Sequence, residues 1–307
     1  MHWEELCPIR KELVTVERWD SSIMNALGVT ADVLRLDKIH PIISGNKWFK
    51  LKNYLNTAIV RNCPSITTFG GAYSNHILAT AFAAKVAGLQ SIGIIRGERS
   101  QKLSQTLLRA GNYGMVFDHV SREEYRGRNE PDFLNALSKK YPDTYIIPEG
   151  GAGEEGRKGC EEILQWIDQS RYSHLLCAVG TGTLYSGLVN ACKAGMHVKG
   201  ICILKGMEQH GKEYKKSDRF EFTKYCDINY DFHFGGYARK TPELISFMNQ
   251  LYRETGIPTD FVYTGKLFYA ALELTRQQHF VKGAKLLIIH SGGLQGNLSL
   301  PQDTLIF

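Results

Sequence analysis

The chain has 307 residues, 43% hydrophobic and 22% charged, with a formal net charge of +6 and a pI near 8.8. That length holds one large or two modest domains with ample core, and the composition is that of an ordinary globular protein. The basic residues are scattered apart from short clusters such as Lys212-Glu213-Tyr214-Lys215-Lys216, which argues against a nucleic-acid partner.

No apolar run approaches membrane-spanning length, and Met1 to Arg10 carries charges without an apolar segment, so neither a membrane partner nor a signal peptide is expected. The seven cysteines (Cys7, Cys63, Cys160, Cys177, Cys192, Cys202 and Cys226) are odd in number, widely spaced and free of CxxC pairs. They form neither a disulfide framework nor a zinc site, and no metal is expected. A reducing compartment follows, and the expected location is cytoplasmic.

Short β-branched runs alternate with longer helical patterns. Ile66 to Phe69 predicts a strand that ends at Gly70-Gly71. Asn75 to Ala87 predicts a helix closed by Gly88 as its C′ residue. Strands follow at Ser91 to Ile95, Met115 to Phe117 and Tyr145 to Ile147. A helix is expected from about Arg157 to Gln169, a strand at His174 to Ala178, a helix at Leu184 to Ala194 and a strand at Val198 to Leu204. Helices then cover roughly Thr241 to Thr255 and Lys266 to Gln277, before a buried strand at Leu286 to Ile289. This alternation predicts an α/β fold with mostly parallel sheet. No linker stands out, so a second domain is expected to be interleaved.

Three segments carry chemistry. In Ser44-Gly45-Asn46-Lys47-Trp48-Phe49-Lys50-Leu51, residues tolerant of positive φ precede Lys47 and fix where it points. Lysine forms imines with carbonyl cofactors, although a helix start with solvated lysines has the same pattern. Gly180-Thr181-Gly182-Thr183 follows a strand and opens a helix, so its N–H groups and hydroxyls converge as in a phosphate site. It lacks the lysine of a P-loop and the spacing of a dinucleotide fingerprint, which leaves a small phosphate or a tight packing turn. Gly70-Gly71-Ala72-Tyr73-Ser74-Asn75-His76 is either an N-cap or a carboxylate site. Two anion-type loops and a lysine are what an amino acid and a phosphorylated cofactor require.

With Pro148-Glu149-Gly150-Gly151, Tyr263-Thr264-Gly265-Lys266 and His290-Ser291-Gly292-Gly293, these segments resemble, in order, the 1-aminocyclopropane-1-carboxylate (ACC) deaminase and D-cysteine desulfhydrase family. That family belongs to the fold-type II, tryptophan synthase β-like enzymes of pyridoxal 5'-phosphate. The resemblance implies two α/β domains, each with a mostly parallel twisted sheet and with the cofactor in the cleft between them. A large cofactor-binding domain would comprise 1–49 plus 148–307, with a small domain inserted at 50–147. A homodimer acting on a small amino acid is implied as well.

By the same resemblance, Lys47 is the Schiff-base lysine and moves the α-proton, and Lys50 contacts the phosphate. Asn75 bonds the phenolic oxygen of the cofactor. Ser74, Asn75 and His76 form the substrate carboxylate site, and Ser74 also handles a proton. Gly180, Thr181, Gly182, Thr183 and Leu184 form the phosphate cradle. Tyr263 lies against the ring, and Tyr237 is a second active-site tyrosine.

Thr264 departs from the ACC deaminases, which have a glutamate there. A threonine is expected to hydrogen-bond a neutral ring nitrogen, giving a weaker electron sink suited to expelling a β-leaving group. The reading is therefore D-cysteine desulfhydration to pyruvate, hydrogen sulfide and ammonia. ACC deamination and a catalytically idle cofactor- or metabolite-binding protein are the alternatives.

Overall fold

The computed structural model describes residues 2–207 and 226–307. The basic cluster at 212–216 lies outside them. The chain divides into two compact units. One comprises Met1–Ile9, His40–Ile43 and Lys47–Gly159; the other comprises Arg10–Ile39, Ser44–Asn46 and Cys160–Phe307.

The first unit is built on a four-stranded, wholly parallel sheet in the order β5-β4-β3-β6. Its strands are β3 (Ser65–Gly70), β4 (Gln90–Arg96), β5 (Met115–Val120) and β6 (Thr144–Ile147). Both faces of β4 are covered, as a parallel sheet requires. Ile95 packs with Ile77, Leu78, Ala81, Leu107 and Ala110, while Ile92 and Ile94 pack with Phe69, Tyr125 and Leu137. The helix Asn75–Ala87 starts where the sequence predicts, with Ser74 as N-cap and Gly88 in the left-handed conformation as C-cap.

The second unit carries a six-stranded sheet ordered β1-β2-β10-β7-β8-β9. Its strands are β1 (Val16–Trp19), β2 (Thr30–Arg35), β7 (His174–Val179), β8 (His197–Cys202), β9 (Cys226–Asn229) and β10 (Lys285–His290). Only the β1–β2 pair is antiparallel. The helix Thr264–Arg276 lays Leu267, Phe268, Ala271 and Leu274 on Val33, Leu176, Ile201 and Ile288 of the sheet.

One predicted element is corrected. The helix expected at Arg157 to Gln169 is instead an α-helix at Glu154–Glu161 running into a 3₁₀ segment at Glu162–Trp166. Gly159 lies against the main chain of Phe49, where a Cβ would stand 1.9 Å from the Phe49 carbonyl oxygen. That approach, made by a residue distant in sequence, fixes the first segment. None of the seven cysteines forms a disulfide among the described residues. No helix among the described residues is long and apolar enough to cross a membrane.

Candidate active site

In the first unit, Lys47 and Lys50 stand in the opening turns of the helix Asn46–Val60, three residues apart and so on one face. Lys47 is half-buried and Lys50 is buried. Both lie near enough to His76 to push its pKa down, second to the desolvation of the ring. Gly151, at φ +67°, closes over this group: a Cβ there would come within 3.0 Å of Lys50 Cβ and 3.6 Å of His76 Cε1. The Pro148-Glu149-Gly150-Gly151 motif thus owes its last glycine to a close approach.

The loop before the helix Asn75–Ala87 is equally tight. A Cβ on Gly70 would stand 2.8 Å from both Cβ and Oγ of Ser74. Ser74 Oγ accepts from the Ile77 N–H at 3.4 Å, a long capping bond that leaves its own hydrogen to donate. The first-turn N–H groups of Asn75 and His76 open from the same helix end.

The side chain of His76 does not fit a carboxylate donor. Thr68 Oγ1 gives its single hydrogen to the Ile147 carbonyl at 2.9 Å, so at 2.8 Å it accepts from His76 Nε2–H. Nδ1 is then a bare acceptor, buried and without a hydrogen-bond partner. A neutral ring with one committed N–H has nothing to donate to a carboxylate. The backbone N–H of His76 is the group suited to that role.

In the second unit, Gly182 (φ +79°) is the N-cap of the helix Thr183–Ala191. The hydroxyls of Thr181 and Thr183 lie 3.0 Å apart at its start, and Thr183 and Leu184 are buried. A Cβ on Gly180 would press on Tyr263 Cε1 at 3.2 Å, so the glycine admits the tyrosine ring. Tyr237 and Tyr263 meet edge to face with centroids 6.1 Å apart. This unit therefore brings Gly180 to Leu184, Tyr237, Tyr263 and Thr264 into one neighbourhood.

Two residues of this neighbourhood carry no role in the sequence reading, although Lys266 closes the motif Tyr263-Thr264-Gly265-Lys266. Asp260 is fully buried just ahead of the helix Thr264–Arg276 and accepts the N–H groups of Val262, Tyr263 and Thr264, each at 2.9 Å. It also accepts the Thr264 hydroxyl at 2.7 Å. The hydrogen of this hydroxyl is therefore held by Asp260. An aspartate four residues ahead of a helix-starting threonine was the available signal.

The second is Lys266, also fully buried, whose Nζ donates to the carbonyls of His233 at 2.9 Å and Gly236 at 2.7 Å. It staples a turn in which Phe234, Gly235, Gly236 and Ala238 all have positive φ and which carries Tyr237. Burial brings its pKa from 10.5 down to about 8. Between those values the unfolded chain holds a proton that the folded chain lacks, so this group makes stability rise with pH across that window. Below it both states are protonated, and the cost of burying the ammonium is constant. Lys266→Met is expected to abolish the rise, read by urea unfolding at about pH 7 and about pH 10. Retention of the rise in the variant would assign it to other groups.

The residues fit pyridoxal phosphate. The first unit offers a primary amine beside a second lysine. The second offers a glycine-admitted tyrosine ring next to a helix start with two hydroxyl donors. Such an α/β chain, with a lysine ahead of one sheet and an anion loop on the other, has the make-up of a pyridoxal-phosphate enzyme. Residues 21–292 match the family model of pyridoxal-phosphate dependent enzymes, and the chain belongs to that family.

Within it, the chain groups with the ACC deaminases and D-cysteine desulfhydrases of fold type II. It is 30% identical, over 92% of each sequence, to a Pyrococcus abyssi protein provisionally named 1-aminocyclopropane-1-carboxylate deaminase. It is 28% identical to the Arabidopsis thaliana bifunctional D-cysteine desulfhydrase/1-aminocyclopropane-1-carboxylate deaminase, covering 83% of this chain and 70% of that one. The crystal structure of an ACC deaminase homologue superposes with a TM-score of 0.79 at 25% identity, covering 97% of both chains.

Proposed function

We propose that the chain catalyses α,β-elimination from a small D-amino acid, with D-cysteine as first candidate. D-cysteine and water become pyruvate, hydrogen sulfide and ammonia. Pyridoxal phosphate, when bound, supplies the electron sink that makes the Cα proton acidic. Lys47 would hold it through Nζ and would take the Cα proton of the substrate with the same nitrogen. Lys50 in the first unit and the Gly180-to-Leu184 loop in the second are each read as phosphate contacts, and Asn75 as the residue that would bond the phenolic oxygen. Ser74 and the first-turn N–H groups bind the substrate carboxylate. Tyr263, with Tyr237 beside it, would pack against the ring, and Thr264 is read as the residue nearest the ring nitrogen.

The observation that carries desulfhydration over ACC deamination is Thr264. It sets a hydroxyl, not a carboxylate, at the residue read as the ring-nitrogen partner, and that hydroxyl is itself bonded to the Asp260 carboxyl. A sink without a direct carboxylate suffices to expel a thiolate from Cβ. Opening a cyclopropane that has no leaving group demands more. Assaying the purified protein against D- and L-amino acids and ACC, scored as 2-oxo acid, tests this. D-cysteine is expected to exceed ACC by at least about tenfold in kcat/KM, a difference of about 1.4 kcal/mol in the barrier. Faster release of 2-oxobutanoate from ACC reverses the assignment. Cofactor retention without turnover of any substrate makes the protein a binder.

A further inference from the structure

Lys266 is fully buried on the helix Thr264–Arg276, and elimination chemistry has no step for its amine. An ammonium costs free energy to bury, and an apolar side chain of similar length would fill the space without that cost. What the lysine adds is donors. Its Nζ reaches the carbonyls of His233 at 2.9 Å and Gly236 at 2.7 Å. Each of those carbonyls already accepts once within its own turn, His233 from the Gly236 N–H at 2.9 Å and Gly236 from the Arg239 N–H at 3.2 Å. A carbonyl oxygen has two lone pairs, so Lys266 completes both. The His233 ring adds a further bond, accepting the Gly235 N–H on Nδ1 at 2.9 Å.

The turn requires that support. Phe234 and Ala238 have φ of +51° and +53°, the left-handed region that side chains disfavour, and Gly235 and Gly236 have +88° and +112°. Such backbone persists where its surroundings over-determine it, and it gathers at functional positions. Tyr237 stands among these residues and is exposed, so its direction is set by the turn more than by core packing. Its ring meets that of Tyr263 edge to face. Tyr263 is the N-cap of the same helix that carries Lys266 three residues later. One helix start thus supports one tyrosine directly and the other through two hydrogen bonds.

We infer that Lys266 is a positioning residue for the reaction, fixing the turn from His233 to Ala238 so that Tyr237 is presented beside Tyr263. This rests on the reading of Tyr237 as an active-site residue. Lys266 acts through the turn alone. Its removal therefore costs turnover only to the extent that Tyr237 contributes, and it loosens the turn without loosening the sheet.

The test is a double-mutant cycle on the kcat/KM of the holoenzyme with its best amino-acid substrate, joined to amide hydrogen exchange of the same proteins. Tyr237→Ala is expected to lose at least about tenfold. Lys266→Met is expected to lose about tenfold in the wild-type background and less than about twofold in Tyr237→Ala, where the residue it positions is already gone. Exchange of the Gly236 and Arg239 N–H groups should quicken in Lys266→Met while that of β10 keeps its rate. Equal losses in both backgrounds, or exchange that quickens throughout the second unit, make Lys266 a general stabiliser and overturn the inference. Full activity in Tyr237→Ala removes that tyrosine from the reaction, which overturns the inference and leaves the proposed function standing. Wild type that turns over no amino acid overturns the proposed function, and the inference with it. Should Lys266→Met not fold, Lys266→Gln, which keeps two N–H donors on a shorter side chain, takes its place with an expected loss of about threefold, and an equal loss in Tyr237→Ala overturns the inference there.

Discussion

Lys47→Ala is expected to lose at least about 1,000-fold in D-cysteine desulfhydration, together with the near-visible absorption of the lysine-bound cofactor. Both losses come from one nitrogen, which anchors the cofactor and afterwards moves the Cα proton. The fold should survive. Lys47 is only half-buried, and alanine is a strong helix former in the opening turn of Asn46–Val60. Lys50→Ala separates the two lysines. It should keep the absorption while weakening retention of the cofactor, because Lys50 is read as a phosphate contact. Absorption and turnover persisting in Lys47→Ala would remove Lys47 from the chemistry.

Gly45→Ala is expected to cost at least about 3 kcal/mol of stability, far more than its small size suggests. Gly45 has φ +65°, and a Cβ there would lie 1.9 Å from the carbonyl oxygen of Ser291, 2.3 Å from its carbon and 2.6 Å from the nitrogen of Gly292. All three are main-chain atoms, which cannot swing aside. The same contact is fastened by the Asn46 N–H, which donates to the Ser291 carbonyl at 3.1 Å. It joins two of the sequence motifs within the second unit, and the residue after Asn46 is Lys47. Gly88→Ala is the control. Its φ of +70° carries the same backbone penalty, but nothing stands within 4 Å of its Cβ, so about 1 kcal/mol is expected. Urea unfolding of the two variants separates the terms. Equal losses would show that the Ser291 contact contributes nothing.

The elements most legible in the sequence are those whose ends are marked by local chemistry. Asn75–Ala87 announces itself through Ser74 and Gly88, and Pro242–Thr255 through Thr241 and Gly256. The strands β3, β4 and β10 read as apolar runs because both faces of a parallel sheet are covered. β1 and β2 went unread. Val16–Trp19 is mostly exposed and holds its place by antiparallel pairing to β2, which local sequence does not encode. The 3₁₀ segment Glu162–Trp166 was mistaken for continued helix because Ile163, Leu164 and Trp166 fit either period.

At the candidate site the sequence by itself determined the residue types and the turns: a lysine after Gly45-Asn46, a glycine-threonine helix start, and a serine able to cap and to donate. These follow from backbone freedom and side-chain chemistry within a few residues. Only the tertiary structure decided who holds each proton. Thr68 commits Nε2 of His76 because its own hydrogen goes to Ile147, and Asp260 takes the hydrogen of Thr264. A hydroxyl has one hydrogen, and which acceptor receives it depends on distances of a few tenths of an ångström between groups that folding brings together.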